Sequence, residues 1–113
     1  MIVVGGTYSE VCFEPRWDQI YGSGFRAVNL LLEANREERV HYYTCGDEEI
    51  SSHLDYYKGI YPNFQVTLTN VKKSPEFIYE HSLGIPRIFP RLDLLLESSR
   101  TITVNGDNIL AFG

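Results

Sequence analysis

Tyr21-Gly22-Ser23-Gly24-Phe25-Arg26 is a glycine turn that opens an apolar stretch of helical period. A second such turn, Cys45-Gly46-Asp47-Glu48-Glu49, follows the hydrophobic run Val40-His41-Tyr42-Tyr43-Thr44. A glycine pair, Gly5-Gly6, ends the opening run Ile2-Val3-Val4. Each stands where a strand gives way to the next element. Glycine there lets backbone approach a ligand closely and admits positive φ. The helix N-termini beside the two turns offer N–H groups to anions or hydroxyls. This pattern points to binding of a small polar molecule at the end of an α/β sheet.

Working outward, Met1–Val4 reads as a short buried strand. Ser9–Glu14 alternates Val11 and Phe13 with polar Glu10 and Glu14, which predicts a half-exposed strand ended by Pro15. Arg16–Tyr21 is a loop or short strand. Phe25–Ala34 places Phe25, Val28, Leu31 and Leu32 at helical spacing, with Asn35 as a stop. Val40–Cys45 is the next strand. Asp47 suits a helix N-cap, with Glu48 and Glu49 in the first turn. Ile50, Leu54, Tyr57 and Tyr61 form that helix's stripe, bounded by Gly59 and Pro62. Phe64–Thr69 and Glu76–His81 alternate as strands, and Gly84, Pro86 and Pro90 mark an irregular crossing. Leu92–Glu97 suits a short helix. Thr101–Val104 and Asn108–Phe112 read as strands around the tight-turn pair Asn105-Gly106.

The 113 residues fit a single domain with a real core. Ten basic against fifteen acidic residues give a net charge of −5, which argues against a nucleic-acid or anionic-membrane binder. Cys12 and Cys45 form no CxxC pair. They read as buried free thiols, with a disulfide or a reactive thiol as alternatives. No apolar run approaches the roughly 20 residues that span a bilayer, and no signal segment precedes the first strand. The expected compartment is the cytoplasm.

The order of these motifs resembles the N-terminal portion of the PfkB/ribokinase-type carbohydrate and nucleoside kinases. The carrying residues are Val3-Val4-Gly5-Gly6 with Glu10, Gly22-Ser23-Gly24 before Phe25–Leu32, and Cys45-Gly46-Asp47-Glu48. Ser74–His81 followed by Ile85–Pro90 resembles the family's second lid crossing. The resemblance implies one α/β domain over residues 1–113. It would have a Rossmann-like sheet and a small β lid, and would lack the C-terminal nucleotide-binding half. It also implies that Glu10 and the Gly22, Ser23, Gly24 turn hold a sugar or nucleoside hydroxyl under that lid. Complete members transfer the γ-phosphoryl of ATP, with Mg²⁺, to such a hydroxyl.

This sequence departs from the family at several positions. Glu10 stands where aspartate is usual, Tyr21 where the first glycine is, Ser23 where lysine is frequent and Arg26 where asparagine is frequent. These differences argue against ordinary ribose recognition. Phosphoryl transfer needs a base and a preorganised anion site, which the family draws from a Gly-Ala-Gly-Asp helix start that this sequence does not contain. Asn105-Gly106-Asp107 lies in an expected hairpin turn and is no substitute. Asn35-Arg36-Glu37-Glu38 mimics the family's Asn-x-x-Glu signature in the wrong place. No catalytic residue and no cofactor is therefore assigned to this chain.

Each candidate has a plainer alternative. Glu10 binds a ligand hydroxyl or faces solvent. The glycine turn cradles substrate or only permits tight packing. Arg26 pairs with a carboxylate or phosphate through its fork or is a surface arginine. Asp47 is explained by its capping role. His41, His53 and His81 show no metal-like spacing, so no metal site is assigned. Phe77, Tyr79 and His81 share one strand face, either a lid surface over ligand or an aromatic interface between subunits. Two functions follow. One is the substrate-binding and lid half of a sugar or nucleoside kinase, not catalytic alone. The other is a non-enzymatic assembly or ligand-sensing module that dimerises or docks a partner through its lid strands.

Overall fold

The computed structural model describes residues 1–81, 83–89 and 109–111. In chain order its elements are β1 (Ile2–Val4), β2 (Tyr8–Glu14), β3 (Arg16–Tyr21), α1 (Ser23–Ala34) and β4 (Val40–Gly46). They continue with α2 (Glu48–Ile60), β5 (Phe64–Asn70), β6 (Glu76–His81), β7 (Arg87–Phe89) and β8 (Ile109–Ala111). Two four-stranded sheets result, a central one ordered β5-β4-β1-β8 and a smaller one ordered β3-β2-β6-β7.

Every pairing in the central sheet is parallel. Parallel neighbours need crossovers, and α1 and α2 supply those from β1 to β4 and from β4 to β5. Strict alternation in β4 turns Val40, Tyr42 and Thr44 to the buried side, where both helices pack. The core there holds Val3, Phe25, Val28, Leu32, Val40, Tyr42, Ile50, Leu54, Tyr61 and Phe64. Phe25, Val28 and Leu32 on α1 are wholly inaccessible, each burial contributing roughly 1.5–3 kcal/mol.

The second sheet comes from two separate excursions of the chain. The β2–β3 hairpin leaves after β1, and β6–β7 leaves after β5. They join where β2 pairs in parallel with β6, setting Glu10 opposite Phe77, Cys12 opposite Tyr79 and Glu14 opposite His81. We refer to this sheet as the lid.

Several sequence expectations are corrected. The alternation in β2 runs opposite to its hydrophobicity: Glu10 is 2 % exposed and Cys12 buried, while Phe13 is 51 % exposed. The polar-looking side is the covered one, because α1 approaches it through Arg26. Of the loop and the short strand left open for Arg16–Tyr21, the strand is found, paired antiparallel with β2. Gly59 lies within the last turn of α2 instead of ending it, and Tyr61 is the C-cap. The crossing after Gly84 contains a short strand, β7, antiparallel to β6. Ile109–Ala111 pairs in parallel with β1. The expected helix Leu92–Glu97, the strand Thr101–Val104 and the Asn105-Gly106 turn lie outside the described residues.

Candidate functional site

The first glycine turn is shaped by close backbone packing. Gly22 has φ +86°, and a Cβ there would lie 2.5 Å from the Gly6 carbonyl oxygen. At Gly24 a Cβ would meet the Tyr42 hydroxyl at 2.6 Å and Gly5 backbone at 2.7 Å. The Gly24 N–H donates to the Gly6 carbonyl at 3.2 Å. The turn thus lays the start of α1 directly on the end of β1, so its tight-packing role is visible in the geometry.

No side chain caps α1, and its first turn contains no acidic residue. It contains Arg26 instead, an unfavourable charge at the positive end of a helix dipole. Glu10 reaches over from the lid to supply the missing anion. Its Oε2 lies 2.7 Å from Arg26 Nη2 and accepts the Gly22 N–H at 3.3 Å. The carboxylate is buried, whereas the Arg26 side chain is 47 % exposed. The guanidinium also lies 5.1 Å from the centre of the Tyr21 ring, within cation–π range.

Aromatic side chains share the lid face that carries Glu10. Phe77 stacks on Tyr8 at 4.2 Å, and Tyr79 lies against Trp17 with ring centres 6.2 Å apart. Strand parity places Tyr8, Glu10, Trp17, Phe77 and Tyr79 on one lid face. Burial, and then the nearby Glu10 charge, push the Tyr79 phenol above its ordinary pKa. His81 shares the parity but lies exposed at the far end of β6. Of the residues singled out in the sequence, Glu10, Gly22 and Arg26 come into direct contact. Gly24 supports them from behind, and Ser23 begins the helix between them. The solvent-facing alternative for Glu10 is ruled out, and Arg26 pairs with a carboxylate of the chain itself.

Below the turn lies a hydroxyl cluster that sequence reasoning missed. Thr7 Oγ1 is 2.7 Å from Tyr42 Oη and 2.9 Å from Thr44 Oγ1. Tyr42 Oη also donates toward the carbonyls of Gly5 at 3.2 Å and Gly6 at 3.0 Å. Burial raises the Tyr42 phenol to about 12, with the Thr44 and Thr7 hydrogen bonds opposing. Alternation in β4 could have placed Tyr42 and Thr44 together, but nothing local announces Thr7 as their partner.

At the second turn Asp47 caps α2, its Oδ1 accepting the Ile50 N–H at 3.1 Å. It also binds Ser74, just ahead of the lid strand β6. The Asp47 N–H donates to Ser74 Oγ at 2.8 Å, and the Ser74 N–H donates to Asp47 Oδ2 at 3.0 Å. The carboxylates at both turns, Glu10 and Asp47, are thus engaged by donors of the protein. Among the described residues no cluster of three His, Cys, Asp or Glu could hold a metal ion. What these side chains offer a ligand is hydrogen bonding and ion pairing.

No protein-family model matches the sequence, and neither does any curated protein. Among solved structures, the chain is similar to a pyrophosphate-dependent kinase in the ribokinase family complexed with a pyrophosphate analog and myo-inositol. The TM-score is 0.57 at 14 % identity, over 98 % of this chain and 39 % of that one. A sulfate complex of a pyrophosphate-dependent kinase in the ribokinase family gives a TM-score of 0.49 at 14 % identity, over 96 % of this chain and 40 % of that one. The likeness establishes the fold: a mixed α/β domain with a parallel sheet and two helices, matching the N-terminal part of the ribokinase fold. The chain spans about two-fifths of the length of these neighbours. No helix among the described residues is long and apolar enough to cross a membrane.

Proposed function

We propose that this chain is the substrate-binding and lid portion of a ribokinase-type kinase architecture, holding a small polyhydroxylated ligand where the lid meets the start of α1. The observation that carries this reading is the buried Glu10 carboxylate. It sits on a lid strand and meets the Gly22 N–H and Arg26 at the head of a helix. Tyr8, Phe77 and Tyr79 on the same lid face offer flat apolar surface for a sugar ring or a base. Phosphoryl transfer to the bound hydroxyl belongs to complete members, and the 113-residue chain binds without transferring. The fold neighbour complexed with myo-inositol supplies a first probe.

The test is a thermal-shift and NMR titration of the purified chain with cyclic polyols, pentoses, hexoses, nucleosides and their phosphates. A ligand at 100 times its dissociation constant adds about 2.7 kcal/mol of stability. Resonance shifts should concentrate at residues 8–10, 22–26 and 77–79. No response to any of these classes would overturn the reading.

A second reading is an assembly module. Phe13 is 51 % and Phe89 57 % exposed, both on the lid face away from Glu10. A self-associating lid would use that face, so Phe13→Ser, and not Phe77→Ser, would shift the sedimentation coefficient of an oligomer toward monomer. A chain that sediments as a monomer at every concentration would sink this alternative.

A further inference from the structure

We infer that the cleft along the outer face of α1 is a second site, for a small protonated amine with an apolar body, held by Glu33 beside the Tyr21 and Tyr57 rings. It shares only Arg26 with the lid–α1 site and stands independently of the reading above. The cleft encloses about 330 Å³ and is lined by Tyr21, Arg26, Asn29, Leu30, Glu33 and Tyr57, within the range of small-ligand sites. Arg26, Asn29, Leu30 and Glu33 fall at i, i+3, i+4 and i+7, so α1 presents them as one stripe. From Arg26 to Glu33 that stripe runs roughly 10 Å along the helix axis.

The charges of α1 run against its dipole at both ends. Arg26 stands in the first turn, while the last turn contains Glu33 and no basic residue. A helix C-terminus favours a cation. At the first end the fold supplies the counter-ion, with Glu10 at 2.7 Å from Arg26 Nη2. At the second end it does not, since no ion pair among the described residues involves Glu33. Arg36, the next basic residue along the chain, lies over the Tyr61 ring at 5.2 Å from its centre. With Arg26 neutralised by Glu10, Glu33 is the uncompensated charge of the lining, and its sign is negative.

The rest of the lining suits the body of such a ligand. Asn29 Nδ2 donates to the Phe25 carbonyl at 3.2 Å, which leaves its Oδ1 to accept from an ammonium group. Leu30 is 70 % exposed and offers apolar surface. Tyr21 and Tyr57 add ring surface, which attracts a cation lying over its face. Burial first, then the neighbouring Tyr21, Tyr61 and Glu33 groups, push the Tyr57 phenol above its ordinary pKa, which places Glu33 within electrostatic reach of that side chain. A neutral ligand makes the same apolar contacts but leaves the charge of Glu33 unmet, and an anion is repelled by it.

The test is an NMR titration of the purified chain with phenylethylamine, phenylethanol and phenylpropionate, which share a ring and differ in charge. The amine should bind roughly tenfold more tightly than the alcohol, moving the resonances of Asn29, Leu30, Glu33 and Tyr57. Added salt should shrink that preference, and phenylpropionate should bind most weakly. Glu33→Gln, at an exposed position, should bring amine and alcohol together. Glu37→Gln removes the same charge outside the cleft and should leave the preference in place, which separates a site from the general pull of a net charge of −5. An alcohol or carboxylate binding as tightly as the amine would overturn the proposal. So would a preference that survives Glu33→Gln, or one that Glu37→Gln abolishes equally. No binding by any of the three would remove the cleft as a site while leaving the polyol reading, tested with other ligands, untouched.

Discussion

Asp47 and Ser74 exchange hydrogen bonds in both directions, at 2.8 and 3.0 Å, fastening the start of α2 to the segment that leads into the lid strand β6. Burial pushes the Asp47 carboxyl up, but the Ser74 and Ile50 N–H donors and nearby Lys73 outweigh it, so its pKa lies below the ordinary 3.8. A carboxyl depressed by folding adds stability above its unfolded pKa, lost as pH falls through the folded value. Acid denaturation below about pH 4 should therefore be shallower in Asp47→Asn than in the parent. At neutral pH, Asp47→Ala should lower stability by about 1–2 kcal/mol through loss of the cap. Chemical denaturation across pH measures both.

Three glycines should respond differently to alanine. Gly22→Ala forces a side chain into φ +86° and against the Gly6 carbonyl, and Gly24→Ala drives a Cβ into Gly5 backbone. Each should destabilise by about 1–3 kcal/mol. At Gly59, within α2, a Cβ would meet nothing within 4 Å. Gly59→Ala should therefore stabilise by about 0.5–1 kcal/mol. Thermal melts of the three variants check the ordering.

Removing one partner of the lid–helix ion pair strands the other. Arg26→Met leaves the buried Glu10 carboxylate without its ion-pair partner, and should destabilise by about 1–3 kcal/mol, less than a fully buried pair because Arg26 is half-exposed. Glu10→Gln should be milder, since Arg26 can hydrate. A double-mutant cycle should give a coupling of about 0.5–3 kcal/mol. A coupling of zero would mean that the contact contributes nothing.

Tyr42→Phe removes the hydroxyl that joins Thr7 to the Gly5 and Gly6 carbonyls and should destabilise by about 1–3 kcal/mol. The Tyr42 phenol is raised from 10.0 to about 12. A group raised by folding keeps its full contribution below the unfolded pKa and loses it as pH rises through the folded one. The parent should therefore lose stability between pH 10 and about 12, and Tyr42→Phe should lose less over that window. Tyrosinate absorbance followed alongside unfolding would show it.

The central βαβαβ arrangement was legible in the sequence because its cues are local. Apolar spacing marked Phe25, Val28 and Leu32, Asp47 announced a helix start, and the glycine turns marked the strand ends. The burial of Glu10 was not legible, because its strand looks amphipathic in the ordinary sense. Only the approach of Arg26 from a helix beginning 13 positions later reverses which side is covered. The strand Arg87–Phe89 was hidden by the prolines on either side of it, and its residues are exposed. Ile109–Ala111 looked like half of a hairpin, but its partner is the first strand of the chain, a pairing that no local pattern encodes.

The lid is not a module. Its strands β2 and β6 lie side by side although β3, α1, β4, α2 and β5 separate them in sequence. Either excursion alone is a two-stranded ribbon, which is marginal in water. The four-stranded sheet exists only because β1 and β5 launch both ribbons from places set by the central sheet. Grafting β2–β3 onto another scaffold would carry Glu10 without the aromatic strand beside it, and moving β6–β7 would carry the aromatics without the carboxylate. Transplanting this site therefore means transplanting the order of the central sheet.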